Sequence, residues 1–198
     1  SCSLVGSEMC IRDSQITASY CMVNGRKMQV QYRTDPQVSD EILLAAILYA
    51  EAGGERQTAL SATLDQETIR VYKGQLAVGY TILNRMASRS YPSTVKEIVY
   101  AQYQFEPART GVLTALLKDQ TRISTECRNT AKLLLKDYKA AQDSVKEFPR
   151  SEFTWCNFWA LSYARNYSDF FSVYKKNEYQ IIGNQVFFNY TKTIHSQS

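Results

Sequence analysis

The segment Leu43 to Glu55 reads Leu-Leu-Ala-Ala-Ile-Leu-Tyr-Ala-Glu-Ala-Gly-Gly-Glu, and it places a carboxylate on a helix face that should carry only apolar groups. With Leu44 at zero on a helical wheel, Ile47, Leu48 and Glu51 all fall within about 60° of it. Glu51 therefore continues the i, i+3, i+4, i+7 stripe that marks a core face. Gly53 and Gly54 follow at once and are expected to end the helix, since each costs about 1 kcal/mol against Ala in a helix interior. Glu51 is then a half-buried acid in the last turn, near the negative end of the helix dipole. Desolvation and the dipole both oppose its charge, so its pKa is expected to be raised, as a general acid working near neutral pH requires. The competing reading is a helix-end Glu turned to solvent or paired with Lys or Arg, because structural ion pairs also perturb acids.

Other chemistries are poorly supplied. The one histidine, His195, lies close to the end of the chain, where a frayed segment is a poor holder for an imidazole. Zinc sites built on His-Glu-x-x-His, Ser-His-Asp triads and Cys-His pairs all need a well-held imidazole. Cys2, Cys10, Cys21, Cys127 and Cys156 are odd in number and contain no Cys-x-x-Cys pair, which argues against a zinc site or a complete disulfide framework. No cofactor and no metal are expected. Acid–base work falls to carboxylates, with Glu51 first among them.

Those groups need elements to hold them. The length of 198 residues suits one domain, and 44% hydrophobic residues suffice for a sizeable core. The net charge of +4 suits an anionic polymer without demanding one. No apolar run approaches the roughly 20 residues of a membrane span, and no basic region followed by an apolar stretch marks a secretory signal. The expected class is α+β, mostly helical, with a small β-hairpin or sheet near the C-terminus. Residues 1–37 read as an N-terminal extension, in which Ser3 to Ser14 resembles a translated sequencing-adapter string and is set aside from fold reasoning. Met22 to Arg33 alternates enough for one short edge strand. A domain over 38–190 follows, with 191–198 as a tail. Its first helix starts at Ser39, a second covers about Gln75 to Met86, and a third starts after Pro92, where Thr94 and Glu97 have capping-box spacing. The longest runs from Arg122 to Ala141, with Ile123, Cys127, Leu134, Tyr138 and Ala141 inward. The polar stretch 56–73 reads as an inserted surface loop that adds nothing to the core. Tyr179 to Ile182 and Gln185 to Tyr190 flank Gly183-Asn184 in a hairpin pattern.

Several of these pieces in order resemble a known family. Tyr49-Ala-Glu-Ala-Gly-Gly-Glu55, Gly74-Gln-Leu-Ala-Val-Gly79, Ile82-Leu-Asn-Arg85, Tyr91-Pro-Ser-Thr-Val95 and Gln104-Phe105 are similar to the SleB-type cell wall hydrolases, which include spore-cortex-lytic enzymes and phage proteins. The resemblance implies a lysozyme-like, lytic-transglycosylase-type fold and cleavage of the MurNAc–GlcNAc bond of peptidoglycan, with the catalytic acid at Glu51. Two departures stand out: the insertion after Glu55, and Gln185 in Ile182-Gly-Asn-Gln-Val-Phe187 where the family usually has His.

The remaining candidates carry alternatives. Glu55, four residues after Glu51, is either a second acid or a structural hydrogen-bond acceptor; no other acid has an arguable position. Tyr103, Gln104, Phe105 and Asn157 are candidate substrate contacts, since amides suit sugar hydroxyls and aromatic faces suit pyranose rings, while Phe105 alone also suits a core. Trp155, Phe158 and Trp159 either line a glycan groove or simply pack. Asn84 and Arg85 are read as an interior polar contact, and Lys132, Lys136, Lys139 and Lys175-Lys176 as solvated faces. The leading function is peptidoglycan cleavage on the cell wall, by a protein that is secreted, spore-associated, phage-released or carried in a virion. An inactive wall-binding or phage virion structural domain is the second reading. A basic, Tyr-rich nucleic-acid binder is the third, although no nucleic-acid motif is present and none is expected as partner.

Overall fold

The structure, a computed structural model, describes residues 16–23, 25–33, 35–56, 58–143 and 153–197. The adapter-like stretch Ser3 to Ser14 lies outside them. The element order is β1 (Ile16–Val23), β2 (Arg26–Arg33), α1 (Asp40–Ala52), β3 (Ala59–Leu64), β4 (Glu67–Tyr72), α2 (Lys73–Ala87), α3 (Val95–Val99), α4 (Glu106–Thr110), α5 (Val112–Lys118), α6 (Thr125–Asp143), β5 (Asn157–Ala160), α7 (Leu161–Asn166), α8 (Phe170–Val173), β6 (Tyr179–Ile182) and β7 (Gln185–Phe188). The class is α+β and mostly helical, with a three-stranded antiparallel sheet, in the order β5-β7-β6, near the C-terminus.

Helix α1 is the axis of the domain. Ser39 caps it, accepting from the Ile42 amide at 3.3 Å. Leu43, Leu44, Ala45, Ala46, Ile47 and Leu48 are all buried, so the helix is hydrophobic on every side rather than along one stripe. It is enclosed by α2, α3, α5 and α6. Gly53 caps its far end as the spacing predicts, donating its amide to the Tyr49 carbonyl at 2.9 Å. Helix α3 begins as the capping-box spacing predicts: the Glu97 amide donates to Thr94 Oγ1 at 3.2 Å and Thr94 Oγ1 donates to the Glu97 carboxylate at 2.8 Å. Helices α2 and α6 cross so closely that a Cβ on Gly79 would lie 2.2 Å from Leu134 Cδ1.

Two stretches differ from the sequence expectation. Met22 to Arg33 is not one edge strand but part of a two-stranded antiparallel ribbon, β1 with β2, and Val23 joins the main core with Met28 packed against it. The polar insertion 56–73 is not a loop. It forms the β3–β4 hairpin, turned at Asp65 and Gln66, both with positive φ. Leu64, Val71 and Tyr72 are buried, with β4 against α6. Polar alternation on one face had masked the buried face of a two-sided ribbon. Lys132 and Lys136, read as a free solvated face, both pair with Asp65 at 2.7 and 2.8 Å, fastening the hairpin tip to α6. The expected C-terminal hairpin is present as β6–β7 around Gly183 and Asn184, with Gly183 at φ +57°.

The hairpin is thus part of the folded unit. Val71→Ala should lower unfolding stability by about 2 kcal/mol, from two lost methyl groups and the space they leave. Leu60→Ala, on the exposed face, should stay within about 0.5 kcal/mol. Urea unfolding of the two variants checks this; equal small effects would return the insertion to a dispensable loop.

Candidate active site

Because α1 is buried all round, its side chains meet water only where the helix stops. Glu51, one residue before the end, is half-buried there and lines two adjoining cavities. Around the smaller, about 190 Å³, stand Glu55, Arg56, Gly74, Gly183, Asn184 and Gln185. The larger, about 380 Å³, carries Tyr103, Gln104, Glu106, Trp159, Tyr163 and Tyr190 on its walls, with Asn157 and Arg85 behind. Burial, and then the negative charge of Glu106, push the Glu51 carboxyl up from its ordinary range to about 7. It is thus protonated in a large fraction of molecules at neutral pH, and its carboxylate is as accessible as its acid. One group with that pKa is able to give and retrieve a proton in the same cycle.

Glu55 behaves differently. Its carboxylate accepts from the Thr58 amide at 3.3 Å and from Thr58 Oγ1 at 3.0 Å. Gly74 and Gly183 close over it, and a Cβ on either would lie 3.1 and 2.7 Å from Glu55 Oε2. Gly183 also holds φ +57°, which an L side chain rarely adopts, and Glu55 brings the end of α1, α2 and the β6–β7 turn to one point.

Gln185, on the first residue of β7, donates its side-chain amide to the backbone carbonyl of Glu51 at 3.3 Å. It satisfies one of the carbonyls a helix end leaves open and ties the sheet to the residue that carries the acid. Asn84 and Arg85 make the interior polar contact expected of them. Asn84 donates to the carbonyls of Phe153 and Trp155, both at 3.0 Å, and Arg85 donates to the Cys156 carbonyl at 2.6 Å and to Asn157 Oδ1 at 3.3 Å. The guanidinium lies over the rings of Tyr91 and Phe105, which offset part of the cost of burying its charge.

Of the candidate contacts, Tyr103, Gln104 and Asn157 line the larger cavity and Phe105 does not. Phe105 is buried in the main core against Phe158, since it stands at the N-terminal boundary of α4, where its ring turns inward. Trp155 and Phe158 also pack against that core, and Phe158 and Trp159 both reach the cavity. Tyr103 is 82% exposed and holds φ +62°, a left-handed conformation that a bulky side chain rarely adopts and that marks strain at the cavity mouth.

Sequence reasoning missed Glu106. It begins α4, just before Pro107, and pairs with Arg109 at 3.4 Å. Glu-Pro at a helix start was a readable signal for the helix, but nothing local shows that this start faces the end of α1.

A family model for cell wall hydrolases matches residues 70–188. The chain belongs to that family. The match begins at Arg70, so α1 and Glu51 lie ahead of it. No curated protein and no solved structure matches the chain. As a family member it acts on the bacterial wall, and among the described residues no helix is long and apolar enough to cross a membrane.

The electrostatics give two expected outcomes. If protonated Glu51 donates, the rate falls as pH rises through about 7, and Glu106→Gln, by removing a negative neighbour, should move that limb to lower pH. An unmoved limb in the pH–rate profile would show that Glu106 does not act on Glu51. Native Glu51 also binds its proton more tightly than the unfolded chain does, so its contribution to stability is lost as pH rises from about 4.5 to 7. Glu51→Gln lacks this titration and should be more stable than wild type above pH 7, as thermal unfolding across that range would reveal.

Proposed function

We propose that this cell wall hydrolase cleaves the MurNAc–GlcNAc bond of peptidoglycan with Glu51 as its general acid and base, by lytic transglycosylation. The observation that carries the reading is one half-buried carboxyl, with pKa near 7, set where an aromatic-lined cavity meets a second, smaller one. A glycan strand crossing that junction would place its scissile oxygen over Glu51. The carboxylic acid donates its proton to the glycosidic oxygen as the C1–O bond breaks, leaving positive charge on the ring carbon. The resulting carboxylate accepts the proton of the same sugar's C6 hydroxyl, whose oxygen closes on C1. The product is a 1,6-anhydro end, the acid is regenerated, and no water enters. Glu55, held by Thr58 and enclosed by Gly74 and Gly183, serves the frame of the site rather than the reaction. Glu106 leaves its imprint on Glu51's pKa and, as an anion on the same cavity wall, favours the developing positive charge. The lysozyme-like architecture implied by the resemblance accords with a buried helix that delivers one acid to a cleft.

Glu51→Gln preserves shape and removes the donated proton, so sacculus lysis should fall by about 10² or more with folding intact. Glu55→Gln should cost less activity and more stability. Mass spectrometry of the released muropeptides should show ends lighter by one water than hydrolysed ends. Wild-type lysis by Glu51→Gln would remove the mechanism, and reducing ends alone would replace transglycosylation with hydrolysis.

A further inference from the structure

Four aromatic rings run in unbroken contact from the cleft out across the surface. Tyr190 meets Trp159 at 6.3 Å, Trp159 meets Tyr163 at 5.2 Å, and Tyr163 meets Tyr167 at 6.1 Å with their planes only 27° apart. The first three line the larger cavity beside Glu51, and Tyr167 stands beyond it. Tyr167 is 58% exposed. Exposed aromatics scattered singly need no explanation, but a run continuous with a cleft does.

The outer pair is also held in place from below. The Tyr167 amide donates to the Tyr163 carbonyl at 2.9 Å, and the Gln197 amide donates to the Tyr167 carbonyl at 2.9 Å. The Tyr163 hydroxyl and Ser196 Oγ lie 3.0 Å apart. The same C-terminal segment is pinned at Asp169, whose amide donates to the His195 carbonyl at 3.1 Å while its carboxylate accepts from the His195 amide at 2.7 Å. His195, expected at a frayed end, thus belongs to a strap that fixes the backbone under two exposed rings. Rings held this way lose little freedom when a ligand lies on them.

We propose that Tyr163 and Tyr167 continue the cleft as a strip that binds the glycan strand away from the bond being cut. This rests on the glycan-cleaving reading. The ligand is a β-linked N-acetyl amino-sugar polymer: the C–H faces of its pyranose rings suit aromatic surfaces, and exposed Asn166, three residues after Tyr163 on α7, offers an amide to its hydroxyls and N-acetyl carbonyls. The strip would anchor the enzyme to long strands and leave cleavage of short ones to the cleft alone.

The test uses the full chain with long and short β-1,4-linked N-acetylglucosamine oligomers and purified sacculi. Tyr167→Ala should weaken binding of long oligomers and sacculi about threefold to tenfold, while short oligomers bind as to wild type. On sacculi KM should rise with kcat unchanged. Tyr167→Trp should retain binding, and Tyr167→Leu should lose it as Ala does. Unchanged long-strand binding by Tyr167→Ala, or full binding by Tyr167→Leu, would overturn the strip while wild-type cleavage continues. A wild type that binds sacculi through Tyr167 without cutting them would leave the strip standing and sink the cleavage reading instead.

Discussion

The burial of α1 on every side is the constraint from which the site follows. A helix with no solvent face has no place for a charged group along its length, so a carboxylate on it is tolerated only at an end. Glu51 sits at that end, where the core opens, and it keeps enough of the core's low polarity to hold its proton. Had α1 been an ordinary amphipathic helix, the same acid would have turned to water and titrated as a surface group.

That opening has to be kept open and kept in shape. Two polar ties do so from opposite sides. Gln185 fastens the C-terminal sheet to the Glu51 carbonyl, and Arg85 with Asn84 fastens the 153–157 segment to α2. Each side chain is buried and partnered by backbone carbonyls, so each holds a chain path that hydrophobic contact alone would leave loose. The consequence is that the two cavity walls, from elements far apart in sequence, are registered against one helix end. The amide of Gln185 also does this without titrating, so the frame around Glu51 does not change as Glu51 changes charge.

The arrangement has a thermodynamic cost. A group whose native pKa is raised stabilises the fold less as pH increases, and a second anion at Glu106 adds to the effect. Tyr103, exposed at positive φ beside the same cavity, is a second local penalty. Backbone strain and unfavourable charge are thus gathered around this one acid.

Local rules were enough to place much of this in the sequence. Ser39, Thr94 with Glu97, and the Gly53-Gly54 pair mark helix ends through hydrogen bonds made within a few residues, so they are legible without the fold. The same holds for the turn at Gly183-Asn184, and for Glu51 as an acid in an apolar run. What depended on contacts distant in sequence was not legible. A hydrophobic stripe could not show that α1 is enclosed all round. Leu64, Val71 and Tyr72 read as a polar excursion because only α6 gives them a face to bury. Phe105 and Trp159 are both aromatics near candidate contacts, yet one packs into the core and the other meets the cleft, because that choice is made by which wall each backbone follows. Glu106 acquires its influence over Glu51 only when α4 folds back on the end of α1. Caps and turns are decided by neighbours in the chain; the meeting of two carboxylates across a cleft is decided by tertiary structure, because electrostatics acts through space and takes no account of sequence separation.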